Sequence, residues 1–228
     1  MTTTPTRNKV YVWDFWVRAS HLSYPLFMLA LWWTADTRNF ALHIPVAITF
    51  SGFVSFRSAW GFWGTRTAQF KHFLRGPRGI LAYTRMLFSK HPSPHTTGHN
   101  PMGGLSVISL LALMIAQIST GLFAVDTDGL NSGALAQFVS FKTGRLFGDY
   151  HELTFNILLG MVGLHLAAIL GYALLKRQNL ITPMVTGYTE ETNGESNHEN
   201  TRPTVLRVML SLITASIVAG GLGWLQYY

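Results

Sequence analysis

Four histidines stand in or beside long apolar stretches where charge is otherwise scarce: His21, His43, His151 and His165. His151 and His165 share the segment DYHELTFNILLGMVGLHLAAIL (149–170), fourteen residues apart. At about 100° and 1.5 Å per residue they fall on nearly one face of a helix, about 21 Å apart along its axis. Arg57 follows His43 by the same fourteen residues, and Arg18 precedes His21 by three, so each arginine lies near the face of a histidine. Neutral imidazole is a good ligand for iron, and a guanidinium fork matches a carboxylate. The chain has no cysteine. Cysteine-ligated iron–sulfur clusters, structural disulfides and covalently attached c-type haem are therefore excluded, and any electron chemistry must use a group that histidine can hold.

The elements that position these residues follow from composition. Charged residues make up 12% and hydrophobic residues 48% of 228 residues, against roughly 25% charged in a soluble domain. The apolar residues gather in five runs, about 18–35, 43–62, 104–124, 151–175 and 205–225, each near the roughly 20 residues a helix needs to cross hydrocarbon. The expected fold is an all-α integral membrane protein: a four-helix transmembrane bundle (1–185), a polar linker (186–204) and an appended fifth transmembrane helix (205–228). The N-terminus lacks the apolar core and cleavage site of a signal peptide, so the first helix is expected to stay as an anchor. With the N-terminus inside, 14 Lys and Arg fall inside and three (Arg38, Lys142, Arg145) outside, which predicts N-in, C-out. The net charge of +7 sits beside helix ends, where it faces anionic lipid; nucleic acid is not an expected partner.

Segment 64–103 is too basic to span. It predicts two short interfacial helices, near 70–75 and 79–88, then a loop marked by Pro92, Pro94 and Gly98. Residues 125–149 form an outer connector rich in Gly, Asp and Ser, and the linker reads as flexible. His99 lies in a turn built by Gly98, Pro101, Gly103 and Gly104, with Asn100 as a helix cap. His72, His91, His95 and His198 read as surface residues.

Depth then pairs the membrane histidines: His21 with His165 toward the inside, His43 with His151 toward the outside. A single buried imidazole is most simply satisfied by an interhelical hydrogen bond. Four that pair by depth point to two non-covalent haems b, each held by two histidines. Arg57, and Arg18 beside it, would serve the haem propionates; the alternative is that they snorkel to headgroups.

The chain resembles the prokaryotic cytochrome b561 family, which includes the cytochrome b subunits of nickel–iron hydrogenases. The resemblance rests on VWDFWVRASH (12–21), FRSAWGFWGTRTAQFKHFLRGP (56–77), GHNPMGGLSV (98–107), QISTGLF (117–123) and the paired histidines followed by NLITPMVTG (179–187). It implies His21, His43, His151 and His165 as ligands of two haems b, and quinone as the redox partner in a bacterial inner membrane. The chain would carry single electrons as an electron-transfer subunit rather than a stand-alone oxidoreductase. Its second partner would be a separate protein such as a c-type cytochrome or a hydrogenase subunit. Two alternatives stand beside this. A superoxide-oxidising quinone reductase would need a basic outer surface, whereas Asp36, Asp126, Asp128 and Asp149 lie there. A haem-free anchor or transporter would show no visible absorbance.

Overall fold

Asp14 decides where the first long helix begins. In the computed structural model, which describes residues 7–87, 98–192 and 203–227, its carboxylate is fully buried and accepts from the backbone of Trp16 (2.8 Å) and Val17 (3.0 Å). These are donors that a helix start leaves unpaired. The other carboxylate oxygen accepts from Trp60 Nε1 (3.1 Å) and Thr65 Oγ1 (2.5 Å). One side chain thus caps α1 (Phe15–Asp36) and ties it to the end of α2 (Phe40–Trp63).

The remaining elements are β1 (Arg7–Tyr11), α3 (Phe70–Phe73), α4 (Pro77–Leu87), α5 (Pro101–Phe123), α6 (Phe141–Leu175), α7 (Ile181–Thr186), β2 (Tyr188–Thr192) and α8 (Val205–Tyr227), with one 3₁₀ turn at Ala136–Phe138. The two expected interfacial helices are α3 and α4; the Pro92–Pro94 stretch, His91, His95 and His198 lie outside the described residues.

Among the described residues four helices are long and apolar enough to cross a membrane: α2, α5, α6 and α8. The expected first span, α1, has the length, at 22 residues, but is not one of them. Arg18, Ser20, His21, Ser23, Tyr24 and Thr34 dilute its apolar run. Leucines stud the exposed faces of α6 and α8 (Leu153, Leu164, Leu174, Leu206), as a surface turned to lipid requires.

The centre of the bundle is α2. It packs against α1, α5 and α8, while α6 lies along α5. The C-terminal helix is therefore integral rather than appended. Gly52 admits it so closely that a Cβ there would sit 3.2 Å from Ala219 Cβ. Trp63 Nε1 donates to Ser211 Oγ (2.9 Å), Arg207 donates to Gly64 O (3.3 Å) and Gln226 donates to Ser132 O (3.1 Å), fastening α8 at both ends. Two apolar clusters fill the interior. Val12, Trp13, Val17, Phe56 and Trp60 pack at one end; Phe50, Val54, Leu111, Met114 and Leu158 pack at mid-depth.

Two further expectations need correction. The expected flexible linker 186–204 is ordered in its first part: Tyr188–Thr192 pairs antiparallel with Arg7–Tyr11, from Tyr11↔Tyr188 to Arg7↔Thr192. The all-α reading thus gains a two-stranded sheet. The sheet sits where α1 starts and α6 ends, here called the sheet end. The outer connector is also shorter than 125–149, because α6 begins at Phe141, capped by Ser140. Gly144 does not break this helix; it lets Val125 of the preceding loop lie against it, where a Cβ would strike that side chain. The connector proper is 124–140, and its side of the bundle is the loop end.

Candidate functional site

At the sheet end, His21 from the first turns of α1 faces His165 from α6. Their ring centroids are 6.2 Å apart and the planes are inclined by 59°. Toward the loop end, His43 at the start of α2 faces His151 of α6 at 6.4 Å and 83°. The structure brings together the pairs that depth selects, and all four rings are half-buried.

Neither pair is joined by a hydrogen bond. Two imidazole–metal bonds of about 2.0–2.1 Å, each continued by about 1.1 Å to the ring centre, call for centroids roughly 6.3 Å apart. Both pairs meet that spacing, so the residues fit one metal centre between each two rings. Among the described residues no three His, Asp or Glu side chains converge to hold a bare ion. Histidines in twos, opposed across the bundle, would instead suit holding the iron of a haem.

Three of the four Nδ1 nitrogens are held as ligands' nitrogens usually are. His43 Nδ1 lies 3.1 Å from Leu31 O and 3.0 Å from Thr34 Oγ1. His151 Nδ1 lies 2.9 Å from Gln117 O and 3.2 Å from Thr120 Oγ1. His165 Nδ1 lies 3.2 Å from Ser106 Oγ, and His21 Nδ1 is buried without a partner. In the Nδ1–H tautomer these contacts leave Nε2 of His43, His151 and His165 as the unprotonated, ligand-type nitrogen. At His151, Nε2 also meets Gln117 Nε2 (3.2 Å), an amide that Thr154 holds by donating to its oxygen.

Arg57 lies at the sheet end, 6% exposed, with its guanidinium carbon 5.7 Å from the Phe70 ring centre and Nη1 unpartnered. A buried cationic donor left unpaired costs more than the about 1–3 kcal/mol of a neutral one. Arg57 therefore fits a buried anion better than lipid headgroups. Arg18 is committed elsewhere in part: its Nη1 donates to Val185 O (2.6 Å), holding α7, while Nε is unpartnered.

A model of prokaryotic cytochrome b561 matches residues 12–187, about three-quarters of the chain. The chain belongs to the prokaryotic cytochrome b561 family. No curated protein and no solved structure matches it. As a cytochrome b561 it is a membrane b-type cytochrome, a binder of haem b that transfers electrons. The match stops at Gly187, before β2 and α8.

Three features of this cytochrome b561 escaped the reading of the sequence. The amide of Gln117 and the hydroxyl of Thr154 surround His151, and their positions at helical spacing opposite a histidine were the available signal. Gly121 makes room for that ring: a Cβ there would lie 2.7 Å from His151 Cε1. His99 is more than a turn residue. Its ring stacks between Trp13 (centroids 4.4 Å) and Phe73 (4.5 Å). Burial first, then the charges of Arg57 and His21, push its pKa down to about 3, so the imidazole is neutral.

Proposed function

We propose that this cytochrome carries two haems b, one between His21 and His165 and one between His43 and His151, and passes single electrons between a redox partner protein and the membrane quinone pool. The observation that carries the reading is the ring spacing of 6.2 and 6.4 Å in two pairs that share α6. The iron, when bound, supplies reversible one-electron chemistry. The protein's part is to fix the four rings, to hold the outer nitrogens of His43, His151 and His165 by backbone and hydroxyl groups, and to shield the path with Phe50, Val54 and Leu158. Arg57 neutralises a propionate at the sheet end, with Arg18 as a secondary donor.

The excess of Lys and Arg beside the sheet end supports a cytoplasmic N-terminus in a bacterial inner membrane. It puts the His43–His151 pair toward the outside. The two pairs are about 21 Å apart along α6, so electrons enter at one face and leave at the other. The partner docks at the loop end, where Leu130, Phe138 and Phe141 are exposed beside Asp128 and Asp149. Such a mixed apolar and acidic face suits a c-type cytochrome or a hydrogenase subunit. Quinone as the other partner is carried by the family resemblance.

The test is stoichiometry. Purified protein assayed as the pyridine haemochrome should contain two haems b per chain, and a reduced-minus-oxidised spectrum should titrate as two one-electron components. A ratio near one would leave a single pair standing. None would sink the reading.

A further inference from the structure

At the sheet end a set of rings converges around two buried nitrogens, His99 Nδ1 and Arg57 Nη1, that have no hydrogen-bond partner among the described residues. Gly98 adopts φ +98°, a conformation that glycine takes freely, and so turns the chain that delivers His99 between Trp13 and Phe73. Asn100 then fixes the position from the other side. Its Oδ1 accepts from Gly103 N (2.7 Å), capping α5, and its Nδ2 donates to Tyr172 OH (3.0 Å). Phe73 meets Phe70 edge-on at 5.9 Å, and Phe70 carries the Arg57 guanidinium over its face. Within this box the His99 ring is half-buried, but its Nδ1 is sealed from solvent and unpartnered, like Nη1 of Arg57. The two side chains lie within electrostatic reach of each other and of His21.

Buried donors without partners are rare in native proteins, and two in one place ask for a shared acceptor. An imidazole N–H beside a guanidinium presents donors to both oxygens of a carboxylate, a stronger pairing than either makes with a neutral group. We propose that His99 is the second donor to a carboxylate that Arg57 also holds, and that this carboxylate is a propionate of the haem between His21 and His165. The inference rests on the two-haem reading above. It makes His99 a positioning residue that tunes one haem and not the other.

The experiment uses the full haem-loaded chain with His99→Leu and His99→Gln, read by potentiometric titration and by the propionate bending mode in resonance Raman spectra. Loss of the donor leaves the propionate more negative, which favours the oxidised iron. His99→Leu should therefore lower the midpoint of the component that His21→Ala removes. The reduced-to-oxidised ratio at fixed poise should fall by about threefold to tenfold, tenfold being 59 mV for one electron. The propionate mode should shift with it, and the other component should stay in place. His99→Gln, whose amide donates, should recover part of both effects. An unmoved midpoint, an equal shift in both components, or a midpoint shift without a change in the propionate mode overturns the proposal; the last would assign the site to some other anion. Loss of haem from both variants alike also overturns it, since His99 would then be a packing wedge. Wild-type protein without haem would instead refute the two-haem reading itself.

Discussion

Gly121→Ala should remove one haem by the smallest change available, a single methyl group. A Cβ at position 121 would lie 2.7 Å from Cε1 and 3.0 Å from Nδ1 of His151. Carbon atoms settle at about 3.5–4.0 Å, so the ring must withdraw by about 0.8 Å or more. The withdrawal stretches the His151 Nδ1 contact to Gln117 O from 2.9 Å beyond hydrogen-bonding range. It also exceeds severalfold the about 0.2 Å tolerance of a metal–ligand distance. Overpacking costs about 1–3 kcal/mol and the lost hydrogen bond about 0.5–1.5 kcal/mol. Against these stands a gain of about 1 kcal/mol from replacing glycine by alanine within a helix. The balance is roughly 0.5–3.5 kcal/mol against binding, or about twofold to 400-fold in haem affinity at that pair. Haem content of purified Gly121→Ala protein should fall from two toward one per chain, and the component lost should be the one that His43→Ala removes. Gly160→Ala is the control: nothing lies within 4 Å of a Cβ there, and both haems should remain. Two haems with unaltered potentials in Gly121→Ala would refute the reasoning.

His21→Ala and His165→Ala should abolish the same component in potentiometric titrations, and His43→Ala and His151→Ala the other; a component shared between His21 and His43 would overturn the pairing. Arg57→Gln should lower the potential of the His21–His165 component. At an effective dielectric of about 20, unit charges 6–8 Å apart interact by roughly 2–3 kcal/mol, and partial screening reduces this. An unchanged potential would return Arg57 to a purely structural role. Asp14→Ala removes a helix cap and strands the buried donors of Trp60 and Thr65, so thermal melting in detergent should show a loss of about 2–4 kcal/mol. Asp128→Asn with Asp149→Asn should slow electron transfer with a basic partner and flatten its salt dependence while leaving the spectrum intact. Asp126 is left out because its carboxylate accepts from Leu130 N, Asn131 N and Asn131 Nδ2 and builds the loop itself.

The histidine pairs were legible because their spacing is regular and their depth follows from the runs that contain them. The corrections arise where a local signal is overruled by a distant contact. Gly144 and Gly148 read as connector, yet both lie within α6 because Val125 packs on them. The strand Tyr188–Thr192 is polar, and its partner lies some 180 residues earlier; no periodicity reports such a pairing. The role of α8 was hidden because Gly52, Ser211 and Ala219 are small residues whose meaning appears only when the two helices meet. His99 had no regular spacing to any other histidine, and its ring neighbours, Trp13 and Phe73, come from distant parts of the chain.

The pairing of β1 with β2 also orders events during synthesis. His43 and His151 are both present once residue 151 has left the ribosome. The sheet that clasps the roots of α1 and α6 must wait for residue 192. At about 5–20 residues per second, the N-terminal strand spends roughly 10–40 s without its mate. The loop-end site can therefore be assembled on a nascent chain before the strands that clasp the sheet end have met.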